Sequence, residues 1–453
     1  MKVCVIGAGI AGLTAARRLA IDGHDVDLCE RWPGLGGQVA TMPIEGGDRL
    51  EHYYHHLFTT DREIVALYEE LGMGAEIEWL PSSMAIFRDG SSHPFTSPLD
   101  LLRFKPMSLF GRLRMGAGAL AIQRTRKGSE SFDDGTSRAL VERWMGAEAW
   151  RVVWGPLMEG KFAGRSEQIS GAWLHNKLNL RRRIDGREAG GEQLGYPRGG
   201  WQPLLDRLEA EITGRGGRVL IDRPARALER GADGRLRVGF GPAGSFRAGT
   251  DPAAFGDDGA ESYDSVLATV PSPVFCGLLD DGLRGELGDA YLERVGAAEY
   301  GTAICLLLEL DRGFGPFYWT NIADPGIPFI GLIEQGNLVG TERYGGRHFL
   351  YVANYVLAGD PLIALDTEGL LDAYEPSLRL VQPAFDRSWV REARVYRETA
   401  AQPIVTVGYG SRIPPMRTPA GGLVLANTTQ IYPEDRGTNY SVRLGEQAAR
   451  LIA

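Results

Sequence analysis

The sequence predicts an α/β chain, a Rossmann-type βαβ domain with an inserted α+β domain. Three observations predict it: a β-branched strand running into a glycine-rich turn at Gly7, a second strand closed by Glu30, and a strand, turn and helix between Gly422 and Leu451. At 453 residues the chain has room for two or three domains of roughly 150 residues each.

The first strand is read from Val3, Val5 and Ile6, and it leads into Gly7-Ala8-Gly9-Ile10-Ala11-Gly12, a G-x-G-x-x-G. Gly7 permits the tight turn into the helix. Gly9 removes a side chain, so a pyrophosphate can approach the backbone N–H groups around Ile10 and Ala11, and Gly12 lets helix and strand pack closely. The helix N-terminus adds partial positive charge facing the phosphates. A helical run from Leu13 to Ala20 follows, then a strand from Asp25 to Cys29. Glu30, 18 residues past Gly12, is placed to accept hydrogen bonds from ribose hydroxyls. The same glycine pattern recurs from Gly239 to Gly244, but Pro242 and the Gly-, Asp- and Ala-rich stretch after it predict a loop.

After Glu30 comes Arg31-Trp32-Pro33-Gly34-Leu35-Gly36-Gly37-Gln38. With this extension the unit resembles the superfamily of flavin-containing amine oxidases, protoporphyrinogen oxidases and phytoene desaturases. The resemblance implies non-covalent FAD in a GR2-like domain, with Arg31, Gly36, Gly37 and Gln38 wrapping its pyrophosphate. It continues at Gly195 to Leu205, which looks like the family's entry to a helix, and at the strand pair Gly216–Ile221 and Ala225–Leu228, which implies adenine contacts at Arg226 and Ala227. Tyr263 to Pro271, with Thr269, resembles the strand that returns to the FAD domain. At the end, Ala426-Asn427 stands where the family has Gly-Asp, so Asn427 would bond the ribityl chain or a phosphate without a carboxylate. Gly437, Thr438 and Asn439 open a helix whose positive end would face the flavin pyrimidine and stabilise charge at N1 and C2=O. The implied division is residues 1–74, 195–275 and 400–453 for FAD, and 75–194 with 276–399 for substrate. Residues 244–262 read as a flexible insert.

In such a protein hydride leaves a C–H bond for flavin N5, and O2, a quinone or another acceptor then reoxidises the flavin. No nucleophile or metal is needed, so the candidates are cavity residues. Glu51 to Phe58 holds three of the seven histidines. His55 or His56 faces the flavin or substrate, with Tyr54 beside it, or the whole cluster is aromatic packing. Lys161 is a candidate because some family members place a lysine near N5; a surface lysine is the plain alternative. Tyr318, Trp319 and Tyr355 suit a flat or apolar ligand, or strand core. Arg181-Arg182-Arg183 would grip a phosphate, or form a solvated face.

The formal charge of −9 argues against a nucleic-acid binder. The four cysteines form no C-x-x-C pair, and Cys4 and Cys29 read as filler in buried strands of a cytoplasmic protein. Residues 101–128 carry seven basic residues and no acid. That run either docks peripherally on the inner, anionic membrane surface and admits a lipid-like substrate, or packs on the core with its charges outward. The favoured function is an FAD-dependent dehydrogenase, oxidase or desaturase acting on a small molecule: a prenyl-type lipid, an amine or a tailored natural product. The rivals are an isomerase like the UDP-galactopyranose mutases, acting on a nucleotide-linked sugar, and a non-catalytic flavoprotein. Oligomeric state is left open.

Overall fold

The computed structural model describes residues 1–125, 127–180, 193–246 and 254–452. Its first sheet is parallel and five-stranded, in the order Arg218–Leu220, Asp25–Cys29, Lys2–Ile6, Ser265–Ala268, Leu423–Leu425. The central strands read as apolar runs because both faces are covered. On one face lie the helices Ile10–Ile21, Gln202–Thr213 and Thr438–Ala449. The first and last of these approach so closely that a Cβ on Gly445 would sit 2.4 Å from the Ala11 carbonyl oxygen. On the other face lies an antiparallel sheet of Ala225–Arg230, Leu236–Phe240 and Ala260–Tyr263.

Two expectations change here. The helices Ser272–Leu278, Asp281–Leu287 and Asp289–Gly296 pack with Cys4, Ile6 and Val266 of the parallel sheet. Leu283 and Leu287 on the second of these helices, and Tyr291 and Val295 on the third, bury the face of each that turns to the sheet. A division at 275 therefore falls inside a helix. The expected insert 244–262 also ends in a strand, since Ala260–Tyr263 pairs with Leu236–Phe240 and buries Tyr263. The second glycine run begins within that partner strand and continues into a turn, not a helix.

A seven-stranded sheet forms the second layer, in the order Val390–Pro403, Tyr300–Leu310, His348–Val356, Gly331–Glu334, Trp319–Ile322, Met84–Arg88, Ser91–Pro94. Tyr300–Leu310 is buried throughout. Its side chains at 304, 306, 308 and 310 meet the helix Thr367–Val381, while Cys305 and Leu307 face the core shared with the first domain. Helices between residues 98 and 180 close the remaining side around Phe104, Met115, Trp150 and Trp173. Arg181, Arg182 and Arg183 lie outside the described residues. No helix among the described residues is long and apolar enough to cross a membrane.

Candidate flavin cleft and substrate cavity

A cleft of about 1030 Å³ runs from the first glycine turn to the closing helix. Gly7 takes φ +103°, which L side chains rarely adopt, and its N–H donates to the Cys29 carbonyl. The hydroxyl of Thr269 donates to the carbonyls of Ile6 and Gly7, both at 3.0 Å, and fixes the turn from the neighbouring strand. The second glycine segment lies against the first: Gly36 N–H donates to Ala8 O at 2.9 Å, and a Cβ on Gly37 would stand 3.2 Å from Gly9 Cα. A Cβ on Gly9 itself would meet no atom within 4 Å, so any side chain there would project into the cleft. That is the cradle a pyrophosphate requires.

Glu30 lies in the cleft wall, with its oxygens accepting from the N–H groups of Ala8 at 2.8 Å and Trp32 at 3.0 Å. Burial raises its pKa and these N–H donors oppose the rise. Ile10, Ala11, Arg31, Gln38, Asn427, Gly437 and Thr438 also line the cleft. Arg31 stacks its guanidinium 4.5 Å from the Phe246 ring. The Asn427 side chain accepts from Thr429 N–H and donates to the Val270 carbonyl, closing the turn without an acid.

Four predicted contacts lie elsewhere. Gly12 is a packing glycine, since its Cβ would fall 1.8 Å from Gly7 O. Arg226 turns toward Asp257, 3.5 Å away, and neither it nor Ala227 lines the cleft; Ala225 does. Asn439 caps the helix Arg62–Glu70, accepting from the N–H groups of Glu63 and Ile64 and donating to the Glu63 carboxylate.

The cleft opens onto a second cavity of about 510 Å³, and the two share Gln38, Tyr53, His55, Glu398, Arg436, Gly437 and Thr438 in their walls. The inner wall is aromatic. Tyr54 meets Trp319 edge-on at 4.8 Å, and Trp319 Nε1 donates to Asn321 at 2.9 Å. His56 Nδ1 lies 3.0 Å from the hydroxyl of the fully buried Tyr318. His55 donates from Nδ1 to the Tyr53 carbonyl at 2.7 Å, and burial pushes its pKa down to about 4, so the ring is neutral at pH 7. The outer wall is aliphatic and aromatic, from Ile86, Val153, Leu157, Met158 and Trp173.

A cluster of charged groups interrupts this lining. Lys161 and Lys177 both reach the Asp435 carboxylate, at 3.0 and 2.9 Å. Burial alone would raise the Asp435 pKa, but the two ammonium groups hold it well below the usual range. Burial lowers the Lys161 pKa, and Asp435 opposes that shift. Arg436 stands at the junction of the two spaces and donates to Gln38 at 2.8 Å, Gln402 at 3.1 Å and Tyr355 at 2.5 Å. Asp435, Arg436 and Lys177 escape a sequence reading; the only signal is the charged run immediately before Gly437.

A dinucleotide cleft opening onto an apolar cavity defines a two-domain flavoprotein. The chain belongs to the family of flavin-containing amine oxidoreductases, whose description matches residues 10–453, and its cofactor is FAD. Over 84 residues it is 38% identical to the 15-cis-phytoene desaturase of Synechococcus elongatus, a match covering 18% of this chain and 18% of that protein. Along their whole lengths, an oxidoreductase from Methanosarcina mazei has the same fold at 18% identity and TM-score 0.72, covering 100% of both chains. A reduced UDP-galactopyranose mutase matches at 15% identity and TM-score 0.71, over 100% of this chain and 95% of that one.

Proposed function

We propose that the chain is an FAD-dependent oxidoreductase that removes hydride from an apolar, lipid-like substrate of the prenyl type. The observation that carries this reading is the aromatic and aliphatic cavity sharing one wall with the flavin cleft. The desaturase relative supports the substrate class. When bound, FAD supplies the hydride acceptor at N5.

The chain supplies position and field. Gly9, Gly36 and Gly37 leave backbone room for a pyrophosphate, and Glu30 in the cleft wall would hold the ribose. Gly437 and Thr438, at the positive end of the closing helix, would hold the flavin ring, with Arg436 lining the same cleft. Tyr54, Tyr318 and Trp319, packed edge to face, form an aromatic wall for a polyene or alkyl chain. His55, neutral and engaged at Nδ1, orients the segment and is not a cationic acid at pH 7. Lys161 and Lys177 are held on Asp435 and place a charged cluster in the cavity wall.

The test is anaerobic mixing of the FAD-loaded protein with isoprenoid chains and with primary amines. The visible flavin absorbance bleaches with the isoprenoids and persists with the amines; the reverse result overturns the reading. A second reading, isomerisation of a nucleotide-linked sugar, draws on Lys161, Lys177 and Arg436 as a cationic set facing the cavity. It requires dithionite-reduced protein to interconvert UDP-sugar ring forms.

A further inference from the structure

The helices Pro98–Arg103 and Leu109–Gln123 carry a surface unlike the rest of the molecule. Eleven large apolar side chains are exposed among the described residues, and six of them lie here: Leu99, Leu102, Leu109, Phe110, Leu113 and Leu120. Phe110 is 73% exposed. Folded proteins rarely leave so many large apolar groups together in water without a partner. On the second helix Leu109, Leu113 and Leu120 recur at helical spacing, while Gly111, Met115, Gly118 and Ile122 face inward. Arg112 donates to the Leu102 carbonyl and ties the two helices side by side.

Cations share this surface. Arg103, Lys105, Arg114, Arg124 and Lys127, on or just beyond these helices, are exposed, in a chain whose formal charge is −9. The nearby acids are engaged locally: Asp100 with Thr96 and Ser97, and Glu148 with Ser108. Leucine and phenylalanine among lysine and arginine match the interfacial zone of a bilayer with anionic headgroups. A second copy of the chain fits poorly, because a symmetric contact would set the same cations against each other.

The inner side of the second helix completes the case. Ala119 and Gln123 line the apolar cavity, and Gln123 Nε2 donates to Leu178 O at 3.2 Å. One helix thus presents one side to the exterior stripe and another to the cavity. We propose that these paired helices are a bilayer-docking face for anionic membranes, with Leu109–Gln123 as the partition between acyl chains and substrate cavity. What crosses that partition rests on the lipid-like substrate reading above; the docking does not.

Flotation of the FAD-loaded full chain with phosphatidylcholine vesicles, with and without phosphatidylglycerol, tests it. The chain floats with the mixed vesicles, and salt weakens the binding. The double substitution Phe110→Ser with Leu113→Ser lowers binding by about tenfold or more. Arg103→Gln with Lys105→Gln lowers it and flattens the salt dependence. All variants keep bound FAD, because every altered side chain is exposed. Binding that is absent, or indifferent to Phe110 and Leu113, overturns the proposal. So does a dimer in sedimentation that these substitutions break while vesicles are ignored. Vesicle binding without flavin bleaching by isoprenoids leaves the docking face standing and removes the substrate reading.

Discussion

The flavin cleft and the substrate cavity share a wall, yet they are built in opposite ways. The cleft is made of backbone: Gly7, Gly9, Gly36 and Gly37 create it by lacking side chains, and N–H groups face it. The cavity is made of side chains from remote segments, with Tyr54, Leu157, Trp173, Ala303 and Trp319 each brought in by a different element. A phosphate needs a fixed geometry of donors, which only a short contiguous turn provides. An apolar ligand needs volume and shape, which many side-chain combinations provide. The two sites are therefore separable by mutation.

The strongest test of that separation is Gly9→Val. Its side chain enters the cleft without striking protein atoms near the backbone, so the fold persists while FAD affinity falls roughly 100-fold, equivalent to about 3 kcal/mol. Fluorescence titration of the apoprotein with FAD measures this, and unchanged affinity would remove the glycine turn from the site.

Next is Glu51, which lies behind both sites with Tyr196 and Trp201 on its oxygens. Burial pushes its pKa up to about 7 from 4.5, against those hydrogen bonds. A raised carboxyl pKa gives stability that is fully present below 4.5 and lost as pH rises to about 7. The loss is on the order of 3 kcal/mol. Glu51→Gln flattens the slope of unfolding free energy over that window, read by denaturant melts at several pH values. A slope that stays would show that Glu51 titrates normally.

The cavity is sharpened by Ala303→Phe, a buried position on the strand Tyr300–Leu310 that lines only this space. It raises KM for a long apolar substrate about tenfold and leaves FAD affinity alone. A change in FAD titration instead would mean that the two sites are one. The smallest effect is expected from Lys161→Met, because Lys177 still holds Asp435. Flavin reduction slows roughly threefold while FAD binding stays unchanged, as stopped-flow absorbance would show.

The same contrast explains what the sequence made legible. Gly7, Gly9, Glu30, Gly36 and Gly37 can be read in advance because each is required at a fixed offset from its neighbours. Arg226 misses the cleft by one position: Ala225 lines it, and the strand register shifts between Ala225 and Ala227 where Arg226 reaches Asp257. Asn439 misses it because the second residue of the closing helix has turned toward the helix Arg62–Glu70. The helices Ser272–Gly296 were expected with the substrate domain because no local pattern states which sheet an amphipathic helix will cover. Lys177 and Asp435 meet across more than half the chain, and no spacing rule links them.

The contact of Gly445 with Ala11 carries a consequence for how the protein is made. The wall that receives the flavin joins two segments far apart in the sequence, through two helices that touch without intervening side chains. A ribosome-bound chain that has not yet released the closing helix has half a dinucleotide site. Cofactor capture thus waits for that helix, and yellow colour reports that translation has passed it. Ligand binding then favours the native state by mass action, so flavin supply in the cell governs how much of this protein survives proteolysis.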